Sequence, residues 1–122
     1  LDWSDPRHVA KEIQKFDIGL MPLVKSEWNS AKHFKTLEYM ACGIPPVVSA
    51  FGENLFIVEE GKNGFLADTE EEWYRKLRML LADAHLRKKI GMQAQRDIKV
   101  KHALPEVAKE FIRTLDAHFY AR

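Results

Sequence analysis

Hydrophobic positions along the chain switch between helical and strand-like spacing. Asp5-Pro6 supplies an N-cap and a proline for the first helical position, and Val9, Ala10, Ile13 and Phe16 fall on one side of the segment after it. Residues 6–16 are therefore expected as an amphipathic helix. Asp17-Ile18-Gly19-Leu20-Met21 is a short apolar run closed by Pro22, which reads as a buried strand opening into a loop over 22–33. From Phe34 the spacing of Leu37, Met40 and Ala41 is helical, with Gly43 placed as the stop before Pro45. Pro46-Val47-Val48-Ser49-Ala50 reads as a second buried strand, 51–53 as a turn and 54–60 as one or two helical turns. A turn over 61–64 and a third strand, Phe65-Leu66-Ala67, follow.

The remainder is helical. Thr69-Glu70-Glu71-Glu72 fits a capping box, in which the Thr69 oxygen accepts from the third helical N–H and Glu72 reaches back to the cap N–H. Trp73, Leu77, Leu80 and Leu81 come next at helical spacing, then a helix carrying Leu86, Ile90, Ala94 and Ile98. A last helix starts at Pro105 and presents Ala108, Phe111, Ile112, Leu115 and Phe119. Alternating helices and strands force parallel strands joined by crossover helices, so the fold class is α/β: a parallel sheet with crossover helices and a helical C-terminal tail. Three strands leave an apolar edge unpaired unless earlier strands exist. That edge, and a start at Leu1 rather than methionine, give the expectation of a fragment of something longer.

Composition removes several function classes. At 122 residues there is room for one domain, and a net charge of +1 sets up no global field toward nucleic acid. Cys42 has no second cysteine to pair with, which suits a reducing compartment, and we expect a cytoplasmic protein. No apolar run approaches the roughly 20 residues of a membrane helix, and with no basic-then-apolar stretch at its start no leader is expected within 1–122. His8, His33, His85, His102 and His118 have no metal-ligand spacing with each other or with Cys42, so no metal site is expected. Cys42 itself reads as a small packing residue.

In an open α/β sheet the ligand sits beyond the carboxyl ends of the strands, here the loops 22–33 and 51–54. Each leads into a helix start, where unpaired N–H groups and the positive dipole end attract phosphate. Lys25, Lys32, His33 and Lys35 surround the start at Phe34, and together they outline a diphosphate cradle. Glu38, one turn into that helix, suits a two-fold hydrogen bond to vicinal ribose hydroxyls. The plainer alternative is a solvated lysine loop and an exposed glutamate, and spacing alone does not choose between them.

A longer pattern surrounds those residues. Phe34-Lys35-Thr36-Leu37-Glu38-Tyr39-Met40-Ala41-Cys42-Gly43-Ile44-Pro45-Pro46-Val47-Val48-Ser49-Ala50, then Gly52, Asn54, Ile57-Val58-Glu59-Glu60-Gly61 and Asn63-Gly64-Phe65-Leu66, resembles the GT-B glycosyltransferases of the group 1 (GT4) family. Asp17 to Leu23 is similar to the strand that precedes this stretch, and the likeness runs from about residue 8 to residue 100. The resemblance implies the later part of a Rossmann-like C-terminal domain that holds a nucleoside diphosphate sugar, UDP- or GDP-linked, against an N-terminal acceptor domain. That acceptor domain is expected to be missing over 1–122, with the early strands and their basic pair. Glu38 matches the second glutamate of the family's E-x7-E motif, which holds the ribose, and the amides of His33, Phe34, Lys35 and Thr36 match the stretch facing the diphosphate. Ser30 stands at the first glutamate, whose carboxylate contacts the transferred sugar. Trp28 and Lys32 resemble a subgroup with Trp and Lys in this loop. Gly52-Glu53 replaces a more usual Gly-Gly pair, with Glu53 a candidate cap for its own helix.

The implied reaction is transfer of a sugar to an acceptor hydroxyl with retention, driven by charge stabilisation of the departing diphosphate and needing no cofactor or protein-bound metal. Peripheral membrane association of the full enzyme is compatible with this. Two other classes compete: a non-catalytic nucleotide-binding or assembly module, and a sugar-nucleotide epimerase on the same architecture.

Overall fold

The computed structural model describes residues 4–100 and 112–117. The elements run α1 (Pro6–Ile13), β1 (Gly19–Met21), α2 (Phe34–Ala41), β2 (Pro46–Ser49), α3 (Asn54–Ile57), β3 (Phe65–Ala67), α4 (Glu70–Ala82) and α5 (Ala84–Val100), with a 3-10 turn at Glu27–Asn29 inside the loop after β1. The class is α/β, as the alternation implied. The strands lie in the order β1-β2-β3, both pairs parallel. Gly19 pairs with Pro46 at one end of the first ladder and Ser49 with Ala67 at the far end of the second.

Helices cover both faces. Val9, Ala10 and Ile13 of α1 pack with Leu37 and Met40 of α2, Ala94 and Ile98 of α5, and Leu115. On the other face Val47, Phe65 and Ala67 of the sheet meet Leu80 and Ile90, with Trp73, Leu77 and Leu86 at the margin. Every residue of β2 is buried, the pattern of a central parallel strand. Residues 112–115 are helical. Pro105, Ala108, Phe111 and Phe119 of the expected last helix lie outside the described residues, as do His102 and His118.

Local chemistry sets the boundaries. The Asp5 side chain accepts from the Arg7 N–H at 2.9 Å and caps α1. α1 closes at Ile13, two tight turns short of the expected Phe16, through the bonds Lys15 N–H to Glu12 carbonyl and Phe16 N–H to Ile13 carbonyl. Phe16 consequently leaves the apolar stripe, is partly exposed and leans on Tyr39 with ring centroids 6.2 Å apart. α2 ends in a Schellman motif: Gly43 takes φ +75°, its N–H bonds to Met40 and the Ile44 N–H to Tyr39. The α3 segment makes a single turn, because Val58 is already extended. At α4 the Thr69 oxygen accepts from Glu72 N–H at 3.1 Å as expected, but the Glu72 carboxylate reaches Asp68 N–H at 2.9 Å rather than the N–H of Thr69. The box is therefore one residue wider than the motif.

Candidate functional site

The carboxyl ends of β1, β2 and β3 open into the loop 22–33, the turn 51–53 and Asp68, and side-chain chemistry ties these into one surface. Ser49, the last residue of β2, accepts through its hydroxyl from Leu23 N–H at 2.6 Å. Buried Asn54 donates to the Ser49 carbonyl at 3.2 Å and accepts from the Thr36 hydroxyl at 2.8 Å. That hydroxyl also lies 3.2 Å from the sulfur of Met21. Strand ends and the starts of α2 and α3 thus share one buried polar chain. Its members are satisfied, which makes it rigid rather than costly.

The two loops are also joined directly. Glu53 N–H donates to the Ser30 carbonyl at 2.9 Å, and Gly52 sits at φ +59° with no room above it: a Cβ there would overlap that same carbonyl. Glycine is required both by the left-handed backbone and by the approach. Glu53 makes no side-chain cap on α3, so the expected alternative role for it is not taken up. The Ser30 hydroxyl donates to the Glu27 carbonyl at 2.7 Å, within its own 3-10 turn.

α2 begins without a side-chain cap among the described residues. His33 holds the cap position, but its ring Nδ1 is 2.6 Å from the Ala31 carbonyl and its face stacks on Phe34 at 5.0 Å. The first turn carries no acidic residue. α1 and α4 by contrast are capped by Asp5 and Thr69, and α4 adds Glu70, Glu71 and Glu72. The start of α2 therefore keeps the donor groups and dipole end that an anion would complete.

The expected cradle is only partly assembled. Lys32 and Lys35 remain at the α2 start, Lys32 exposed and Lys35 part-buried. Lys25 is drawn across to Asp68 at 2.8 Å, an ion pair that spans the β1 loop and the end of β3. Thr36 has only its amide left to offer a ligand, since its side chain is fully buried in the polar chain. Glu38 stands one turn in, its carboxylate 3.0 Å from Lys35 Nζ. Its negative charge reaches inward as well: burial first, and then Glu38, push up the Tyr39 phenol and the Cys42 thiol, the latter to about 12. Trp28 is 88% exposed beside this surface. Asn54, Ser49 and Asp68 were not among the sequence candidates; Asn54 could have been suspected as a polar residue opening a helix directly after a glycine turn.

Among the described residues no group of three or more His, Cys, Asp or Glu side chains is placed to hold a metal ion, and no helix is long and apolar enough to cross a membrane. Comparison with known proteins adds the family. The model for "Glycosyl transferases group 1" matches residues 2–83 of the 122. The chain belongs to the group 1 glycosyl transferases. The matched part of this group 1 glycosyl transferase chain runs from α1 through α4, so it takes in every loop of the surface just described, while α5 lies beyond it. The chain is also similar to Spore coat protein SA of Bacillus subtilis (strain 168), 26% identical over 90 residues, which cover 71% of this chain and 24% of that protein. It thus spans about a quarter of that relative's length.

Proposed function

We propose that this chain is a donor-binding part of a glycosyltransferase, holding a nucleoside diphosphate sugar, UDP- or GDP-linked, for transfer to an acceptor hydroxyl with retention. The observation that carries the reading is the start of α2: an uncapped helix terminus with Lys32 and Lys35 around it and a carboxylate one turn in. The amides of His33, Phe34, Lys35 and Thr36 receive the diphosphate, Lys32 and Lys35 add charge, and Glu38 holds the ribose. Ser30, fixed against Gly52 and Glu53, lies beside the sugar. Stabilising the departing diphosphate is the main catalytic contribution in this reading. An acceptor domain, absent from 1–122, supplies the other substrate; the whole protein works in the cytoplasm, with peripheral membrane contact compatible with it.

One observation favours a second reading, a nucleotide-binding module without catalysis. The Ser30 hydroxyl is engaged with the Glu27 carbonyl and carries no charge where the family has a carboxylate. Calorimetry with uridine and guanosine diphosphates and their sugars tests the first reading. Glu38→Ala is expected to weaken binding by about 1.5–3 kcal/mol, the range for a charged hydrogen bond. Equal affinity in the variant removes the ribose role. Heat with bare diphosphates but no discrimination among their sugars favours the module.

A further inference from the structure

Lys35 is in the wrong place for an ordinary helix. It occupies the second position of α2, where the positive end of the helix dipole repels a cation, and no acidic residue in the first turn offsets it. The charge is answered from one turn further in, by the Glu38 carboxylate at 3.0 Å. Lys35 keeps 43% of its side chain exposed and Glu38 21%, so the lysine can leave while the carboxylate stays against the protein. A local rule broken at a site, and compensated by a group that the ligand also needs, is the arrangement expected where binding does the releasing.

We propose that Lys35 and Glu38 form a latch, in which the ion pair occupies the ribose-binding carboxylate until a diphosphate at the start of α2 draws the lysine away. This rests on the donor-binding reading and adds a coupling to it. An anion at the α2 amides offsets the positive dipole end there and offers the Lys35 ammonium a partner, and the carboxylate is freed to accept from two hydroxyls. Nucleosides without phosphate must break the pair themselves and bind weakly. The site thereby selects against free nucleosides without contacting their bases. Exposure of the pair keeps the latch weak, so it is opened by a ligand rather than locked.

Lys35→Met keeps the length of the side chain and removes its charge, and it makes opposite predictions for two probes. Titrated into the intact protein, whichever of uridine and guanosine binds is expected to bind the variant about 1.5- to fivefold more tightly, since the carboxylate is no longer engaged. Inorganic pyrophosphate is expected to bind it more weakly. Nucleoside affinity that stays level or falls in Lys35→Met overturns the latch. Glu38→Ala, measured alongside, separates the two readings. Loss of nucleoside binding there keeps the ribose assignment standing whatever Lys35→Met does, and unchanged nucleoside binding overturns that assignment and the latch with it. Lys35→Gln and circular dichroism of each variant guard against a folding effect, because all three should retain the parent helical signal.

Discussion

Cys42 closes α2 as its C-cap, buried behind the helix. Burial, then the Glu38 charge, hold its thiol protonated up to about 12, against an ordinary value of 9.0. At neutral pH it is an inert packing group, because the thiolate is the reactive form. Linkage fixes the sign at high pH. Between about 9 and about 12 the unfolded chain gives up the thiol proton while the folded chain keeps it, so stability falls as pH rises through that window. Urea midpoints measured near pH 8 and near pH 10 should drop further in the parent than in Cys42→Ala, and an equal drop in both would remove the effect. The sequence singled out Cys42 as a packing residue from its neighbours alone. The Glu38 charge, four residues earlier on the same helix, also presses on the thiol. The larger cause is the burial of Cys42, which depends on tertiary packing and which spacing along one helix does not give. Thr36 makes the same point. Its amide was legible as part of a helix start, but its hydroxyl is committed to Asn54, a long-range partner no spacing rule names.

Among the elements, the stop of α2 at Gly43 and the start of α4 at Thr69 were the most legible, since caps and stop glycines act over a few residues. The end of α1 and the single turn of α3 were less so, because tertiary packing rather than propensity decides where a short helix stops. α5 illustrates what a sequence pattern leaves out. Its apolar stripe was plain, but its docking depends on Gly91, where a Cβ would overlap the carbonyl of Gly43, the residue that stops α2. Gln95 adds a bond to the Ala41 carbonyl at 3.0 Å at the same contact. Two glycines thus let a helix touch the backbone turn leading into β2. Gly91→Ala sets two effects against each other. Helix propensity favours alanine by about 1 kcal/mol, and overpacking against a fixed carbonyl typically costs roughly 1–3 kcal/mol. The overlap is with backbone, which cannot rotate away, so we expect a net loss of up to about 2 kcal/mol in urea unfolding. A variant more stable than the parent would show that α5 can shift away from the turn without cost.

Across the whole molecule apolar side chains stand in the open on several elements, Tyr74 and Leu81 of α4 and Val100 of α5 among them, and on the surface that carries the candidate chemistry they are Val24 and Trp28 on the β1 loop and Leu55 and Phe56 on α3, with Phe56 83% exposed. The candidate groups of the site, Lys32, Lys35 and Glu38 with the α2 amides, all fit a diphosphate and a ribose, and none is assigned to the acceptor. With a chain that spans about a quarter of its relative, we propose that donor binding and sugar transfer are separable. The 122-residue chain is expected to take up a nucleoside diphosphate, since the polar chain that fixes the strand ends is complete within it. Transfer needs both substrates in one geometry, and positioning of that kind contributes about 7–11 kcal/mol to a reaction. Incubating the chain with labelled donor sugars and simple acceptors, beside the full-length protein, should give bound nucleotide but turnover lower by several orders of magnitude. Turnover by the 122-residue chain near the full-length rate would mean that the acceptor is held by this same surface, and the exposed Trp28 and Phe56 would be the first side chains to test for that role.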